Sequence, residues 1–299
     1  MSPYLASWLV DDGRPRVIVL GNEKGGSGKS TMAIHVVAGL MARGIRVGSI
    51  DLDGRQATLS HFMANRRRQA RAADPGLPCP AHRRIGLSRS AGERNAEDEK
   101  LDQLGSALES LGDAEVIVVD TPGSDSVLAR AGHIVADVLV TPLNSSFLDL
   151  DALVAVDDSA SRIVGPSPYS ELVLYMGERR KELGAPAIDW IVAGNRLPNV
   201  DTRVNRQVAG VLDELAPRLG FRVFLGIHER IVFRELFLQG LTVFDVGRRH
   251  GWSTAGRTLA AARREMEGLI DTILAGELRQ ARAGRLEAAP RGLAASQGL

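Results

Sequence analysis

Between residues 21 and 31 the chain reads Gly-Asn-Glu-Lys-Gly-Gly-Ser-Gly-Lys-Ser-Thr, a run whose residue types suit an anion. Glycines at Gly25, Gly26 and Gly28 let backbone N–H groups, with that of Ser27 among them, turn onto phosphate oxygens without a Cβ in the way. An apolar run, Val17–Leu20, precedes the loop, and a helical pattern opens at Lys29. The helix start adds unpaired N–H groups and a positive dipole end. In that setting Lys29 is expected to reach the β- and γ-phosphates of a nucleotide, Ser30 to ligate Mg²⁺ and Thr31 to hold the α-phosphate. The chain's lysines are Lys24, Lys29, Lys100 and Lys181, and two of them sit in this loop while the other basic residues are arginine. A compact ammonium on a flexible stem serves a phosphate there better than a planar fork.

Acidic residues stand at the ends of two further apolar runs. Val116–Val119 ends at Asp120, which fits a residue that holds Mg²⁺ through water. The Thr121-Pro122-Gly123 that follows fits a segment sensing the γ-phosphate through backbone N–H groups. Ile50-Asp51-Leu52-Asp53 closes the run from Val47. The two carboxylates are expected to diverge, so that one of them addresses the γ-phosphate. Asn195-Arg196 follows Trp190–Ala193, at the strand ends where ligands of open α/β sheets collect. An Asn amide offers a donor and an acceptor to an adenine edge, and Arg196 is a candidate for stacking on the base. No Asn-Lys-x-Asp guanine signature is present, which favours ATP over GTP.

These residues need strands that end together, and the pattern supplies them. Short apolar runs alternate with helical stretches, as repeated βα units do, so the fold class is α/β, a doubly wound, mainly parallel sheet flanked by helices. Strands are expected at Val17–Leu20, Val47–Ile50, Val116–Val119, Val138–Val140 (closed by Pro142), Trp190–Ala193 and Arg222–Phe224. Helices are expected at Lys29–Arg43, Asp149–Ile163, Thr202–Leu219, Ile231–Leu238 and Thr254–Leu274. Residues 72–100 carry Pro75, Pro78, Pro80 and mixed charge without apolar periodicity, and read as an irregular insert. The domain is placed at 16–275, after an extension at 1–15. The Ala/Arg/Gly-rich residues 276–299 read as a disordered tail.

Bulk composition narrows the setting. A chain of 299 residues with 44% hydrophobic and 24% charged residues is ordinary for a globular protein. Aromatics at 4% leave the core to aliphatic residues, as buried parallel sheets prefer. The net charge of +1 makes any basic footprint local. Cys79 stands alone, which rules out an intrachain disulfide and suits a reducing cytoplasm. No stretch approaches the ~18 apolar residues of a membrane span.

The ordinary phosphate loop has a glycine where this chain has Glu23, and Lys24 instead heads the loop. In this deviant form the chain resembles the ParA/MinD superfamily of dimerising ATPases over about Arg16–Leu274. Gly21–Gly26, Thr121–Gly123, Thr141-Pro142-Leu143-Asn144-Ser145-Ser146-Phe147 and Phe233-Arg234-Glu235-Leu236-Phe237 are similar to the MipZ branch, ATPases that position the division site in alphaproteobacteria. The resemblance implies a homodimer in the ATP state, with Lys24 crossing to the partner's phosphates. It implies Asp53 in the switch I position orienting the attacking water, Asp51 deeper near the loop lysine and the metal, and Asn195 on the adenine. It further implies slow hydrolysis, ParB and FtsZ as partners, nucleoid association in a polar gradient, and non-specific DNA binding. The alternative is a ParA-type partition ATPase.

Candidate DNA-contacting residues are Arg203, Arg206, Arg218 and Arg222; Arg66, Arg67, Arg68 and Arg71 form a second basic group. Without a base-reading helix such contacts are sequence-independent and salt-dependent. Leu259, Ala262, Met266, Leu269, Ile270, Ile273 and Leu274 make one apolar stripe, which reads as a core-packing helix rather than a membrane anchor.

Overall fold

The computed structural model describes residues 3–86, 93–144, 147–156, 163–198, 203–245 and 256–287. Seven parallel strands form the central sheet in the order β3-β2-β4-β1-β5-β8-β9. They are β1 (Arg16–Leu20), β2 (Val47–Asp51), β3 (Ala81–Arg84), β4 (Val116–Asp120), β5 (Val138–Asn144), β8 (Asp189–Asn195) and β9 (Phe221–Leu225). A separate antiparallel pair is made by β6 (Val154–Val156) and β7 (Ile163–Pro166).

Strand alternation divides the apolar residues between two cores. Val17, Val19, Ile117, Val119, Leu139 and Val192 face one side, and Ile18, Leu20, Val116, Val118, Val140 and Ile191 face the other. The first core is covered by α1 (Pro3–Leu9), α4 (Glu93–Glu109), α5 (Val127–Val135), α7 (Pro168–Glu182) and α8 (Arg203–Leu219). The second is covered by α2 (Lys29–Ala42), α3 (Thr58–Ala72), α9 (Val232–Leu238) and α10 (Gly256–Glu287). A short helix, α6 (Phe147–Leu150), follows β5. The stripe from Leu259 to Ile273 packs in the second core, so α10 is the core-packing helix its pattern indicates. Among the described residues no helix is long and apolar enough to cross a membrane.

Four expectations are corrected. The helix at Asp149–Ile163 is absent: α6 stops at Leu150 and the hairpin β6–β7 begins at Val154. Val154, Val156 and Ile163 are β-branched residues that prefer a pleated surface. The next helix starts instead where Ser167 accepts a hydrogen bond from the Ser170 N–H (3.1 Å) with proline in the first turn. Residues 72–100 are not irregular throughout, because Ala81–Arg84 adds to β2 as the edge strand β3 and α4 begins at Glu93. An edge strand with solvated side chains has no apolar pattern to read. The tail continues α10 to Glu287, since its Ala, Leu, Glu, Gln and Arg are good helix formers; residues 288–299 lie outside the described residues. Pro142 does not close β5, which runs on to Asn144. Pairing with β1 ends at Leu20–Val140 while pairing with β8 continues, and a proline is tolerated where one neighbour strand has ended. Residues 3–15 also hold structure: Leu5, Trp8 and Leu9 of α1 are buried in the first core.

Candidate functional site

The register of the sheet assembles the site. Leu20 of β1 pairs with Asp120 of β4, and Asp120 pairs with Asp51 of β2. The loop after β1 therefore begins level with both acids. Gly26 (φ 76°) and Gly28 (φ 97°) take the left-handed conformation, which costs a residue with a Cβ about 1–2 kcal/mol. Gly28 carries a second constraint, for a Cβ there would lie 2.1 Å from Nδ2 of Asn195. That Nδ2 donates to the Ser27 carbonyl at 2.7 Å. Asn195 thus ties the tip of β8 to the loop, and with Arg196, Gly28, Thr31, His228 and Arg230 it lines a cavity of about 140 Å³ beside the start of α2. Arg196 is exposed and holds φ 51°.

Lys29 is buried at the first turn of α2, and its ammonium donates to the Lys24 carbonyl at 3.3 Å. Burial lowers its pKa, while the charges of Asp120 and Asp53 oppose that shift. Asp120 is fully buried, and among the described residues neither carboxylate oxygen has a partner at hydrogen-bond distance. Burial pushes its pKa up to about 8; Ser30 beside it pulls the value down, and Asp51 pushes it up. A buried carboxylate with two idle oxygens next to a serine hydroxyl is costly unless a cation or ordered water engages it. Ser30 and Asp120 therefore fit Mg²⁺, which keeps several waters and takes few protein ligands. Among the described residues no cluster of three His, Cys, Asp or Glu could hold a metal by itself. Gly123 packs the segment after β4 onto the loop, where a Cβ would stand 3.2 Å from the Gly25 backbone.

Strand alternation does not part the two acids at the end of β2. The strand stops at Asp51, Asp53 lies in the following turn, and the Asp53 N–H donates to Asp51 Oδ1 at 3.0 Å. Residues two apart on a strand share a face, so the sequence itself argues against divergence. Asp51 is buried and accepts from the N–H and Oγ of Ser60, each at 2.8 Å, anchoring α3. Asp53 is half-buried; its Oδ1 accepts from the N–H groups of Arg55 (3.2 Å) and Gln56 (2.9 Å), and Oδ2 has no hydrogen-bond partner among the described residues.

Lys24 lies at the exposed lip of the loop. Its N–H donates to Asn22 Oδ1 at 2.8 Å, and its ammonium pairs with Asp149 of α6 in the same chain. Ser145 and Ser146 of the stretch similar to MipZ lie outside the described residues.

The arginine groups separate. Arg222 is not a surface contact: it donates to both carboxylate oxygens of Asp189 (2.8 and 2.5 Å) and to the Thr272 carbonyl (2.7 Å). Arg66 is buried and pairs bidentately with Asp245 at 2.8 and 2.9 Å. Both sit where a chain segment must be pinned, a use that charge patterning alone does not distinguish from a solvated face. Arg67, Arg68, Arg71, Arg206 and Arg218 are exposed. Arg203 opens α8, and its side chain lies outside the described residues. Sequence reasoning missed Asn22, Ser60 and Asp149. For Asn22 a signal existed in its place inside the loop; the others reach the site only through tertiary packing.

A family model described as ATPase MipZ matches residues 16–275. The chromosome partitioning protein ParA of Caulobacter vibrioides (strain NA1000 / CB15N) is 29% identical over 192 residues, covering 56% of this chain and 72% of that protein. Among solved structures, the Cyanothece McdA–ATP complex superposes with a TM-score of 0.59 at 17% identity, covering 88% of this chain and 97% of its own. The septum site-determining protein MinD of Pyrococcus horikoshii, complexed with Mg-ADP, gives 0.53 at 17% identity, covering 88% and 98%. At these identities the structures establish a shared fold. With a doubly wound parallel sheet, a lysine-headed phosphate loop and a family match spanning most of its length, the chain belongs to the MipZ family of ATPases, within the ParA/MinD group.

Proposed function

We propose that the chain is an ATP-driven dimerisation switch that regulates placement of the division site by inhibiting FtsZ polymerisation, with slow hydrolysis as its timer. The observation that carries this reading is the lip of the loop: Lys24 has its backbone fixed by Asn22 but its side chain 45% exposed, outside the cradle that Lys29 fills. A lysine so placed can exchange Asp149 for the phosphates of a second subunit. Lys29 holds the β- and γ-phosphates of bound ATP, Thr31 stands exposed at the mouth for the α-phosphate, and Asn195 and Arg196 border the base. Ser30 and, through water, Asp120 would hold Mg²⁺, which would supply charge neutralisation to the phosphates. Asp53 Oδ2 accepts a hydrogen bond from the attacking water and orients it. By family, ParB recruits the protein near the chromosome origin. The ATP dimer binds DNA without sequence preference through exposed arginines such as Arg206 and Arg218, and Arg222 is not among them.

The test combines FtsZ polymerisation with DNA retention. Polymer mass should fall in the presence of this protein and ATP but not ADP, and ATP-loaded protein should be retained on DNA with a steep salt dependence. Unchanged FtsZ polymers would retire the division-site reading. The likeness to a chromosome partitioning protein favours a ParA-type partition ATPase as the second reading. DNA retention without any effect on FtsZ would select it.

A further inference from the structure

We infer that Tyr169, a residue outside the nucleotide site, is a positioning residue for Lys24, acting through a buried chain of hydrogen bonds. The chain starts at the Trp190 indole N–H, which donates to Thr141 Oγ1 at 2.9 Å. Thr141 Oγ1 and the Tyr169 hydroxyl lie 2.8 Å apart, and the Tyr169 O–H donates to the Gly21 carbonyl at 2.9 Å. An indole only donates and a carbonyl only accepts, so every proton in the chain has one direction. The Thr141 proton must go to the Tyr169 oxygen, and the Tyr169 proton to Gly21. His133 does not compete on equal terms: its Nδ1 donates to the Ala129 carbonyl at 2.5 Å, and its Nε2 lies 3.4 Å from the hydroxyl. Burial lowers the His133 pKa and raises that of Tyr169, so the imidazole stays neutral and the phenol keeps its proton.

The chain ends where the phosphate loop begins. The Gly21 N–H donates to the Val140 carbonyl at 3.0 Å, so Tyr169 fixes the other polar group of the same residue. A Cβ at Gly21 would lie 2.8 Å from both His133 Nε2 and Leu139 Cδ1, which shows how closely the backbone is seated on this cluster. Asn22 carries the placement on: its Nδ2 donates to the Pro142 carbonyl at 2.7 Å and its Oδ1 accepts the Lys24 N–H at 2.8 Å. Two residues thus separate the Tyr169 hydroxyl from the backbone of Lys24. All four side chains that link β5, β8 and α7 to the lip (Trp190, Thr141, Tyr169 and Asn22) are buried, and such fully satisfied networks rigidify what they hold.

The inference rests on Lys24 as the dimer-forming lysine, and its experiment separates the two claims. Tyr169→Phe keeps the ring and removes the donor. Val173→Ala, one turn further along α7 and away from the loop, serves as a control of comparable destabilisation. Hydrogen exchange of the nucleotide-free monomer should show amides of residues 21–26 exchanging about tenfold faster in Tyr169→Phe and unchanged in Val173→Ala. With a non-hydrolysable ATP analogue the dimer dissociation constant should rise about tenfold in Tyr169→Phe only, while monomer affinity for ADP stays within about twofold. Trp190→Phe, which removes the far donor, should shift both readouts in the same direction by less. Wild-type exchange and dimerisation in Tyr169→Phe, or equal losses in Val173→Ala, would overturn the inference. Should Lys24→Ala itself dimerise normally, the role of Lys24 fails, and the exchange measurement still decides whether Tyr169 holds the lip.

Discussion

Lys24 and Lys29 are five positions apart and chemically identical, yet the fold gives them different surroundings. Lys29 is buried, capped by the Lys24 carbonyl and flanked by the charges of Asp120 and Asp53. Lys24 stands at the lip and pairs with Asp149. The first arrangement suits a permanent phosphate ligand, and the second suits a residue that changes partners. The lysine end of the pair is 45% exposed while the Asp149 side chain is 9% exposed, so Lys24 can leave only if the phosphates compensate a largely buried carboxylate. Asp149→Asn should therefore release Lys24 and lower the ATP-analogue concentration needed for dimerisation. Sedimentation velocity across a nucleotide titration reads the threshold, and an unchanged or raised threshold would show that Asp149 does not restrain the lysine.

At the scale of elements, α8, β9 and α10 show why charge in a sequence is a poor guide to surface. Arg222 of β9 joins Asp189 of β8 to the Thr272 carbonyl of α10, and its side chain is 20% exposed. Removing one member of such a pair strands the other charge, at a cost of roughly 3 kcal/mol. Arg222→Ala should lower the thermal midpoint markedly while the folded protein keeps its DNA retention at low salt; loss of DNA binding without loss of stability would return Arg222 to the surface. The same contrast governs legibility. Strands β1, β2, β4 and β8 are buried on both faces, so their Val and Ile runs announce them, and the loop declares itself through glycines that only a tight turn over an anion requires. β3 escapes notice because its side chains are solvated at the sheet edge. The β6–β7 hairpin falls where a helix is expected, although Ser167-Pro168 marks the start of α7 with a cap and a first-turn proline. Asp149 and Tyr169 are invisible in sequence because their contacts to the loop span 125 and 148 residues.

For the molecule as a whole, buried titratable groups set opposing pH dependences in the metal-free protein. His35 and His82 are lowered to about 4 by burial, and His133 is lowered for the same reason. Each binds its proton more tightly when unfolded, so stability falls as pH drops from about 6.5 toward 4. Asp120, raised to about 8, binds its proton more tightly when folded, so it removes stability as pH rises from about 4 to 8. Near pH 6 the three histidines outweigh Asp120, while Asp51 and Glu23, also raised by burial, act with Asp120 closer to the ordinary carboxylate range; above about 6.5 Asp120 acts without the histidines. The melting temperature without Mg²⁺ and nucleotide should therefore peak near pH 6.5. Asp120→Asn should remove the decline toward pH 8 while weakening Mg²⁺-dependent nucleotide binding, and an unaltered alkaline limb would show that Asp120 is ionised without cost. The proposed switch requires a dimer that lasts while ATP does, and multi-angle light scattering measures that dimer directly. With Mg²⁺ and a non-hydrolysable ATP analogue the wild type should shift from about 32 to about 64 kDa, should remain monomeric with ADP, and should fail to shift as Lys24→Ala. A wild-type monomer under saturating analogue, or a Lys24→Ala dimer, would contradict it.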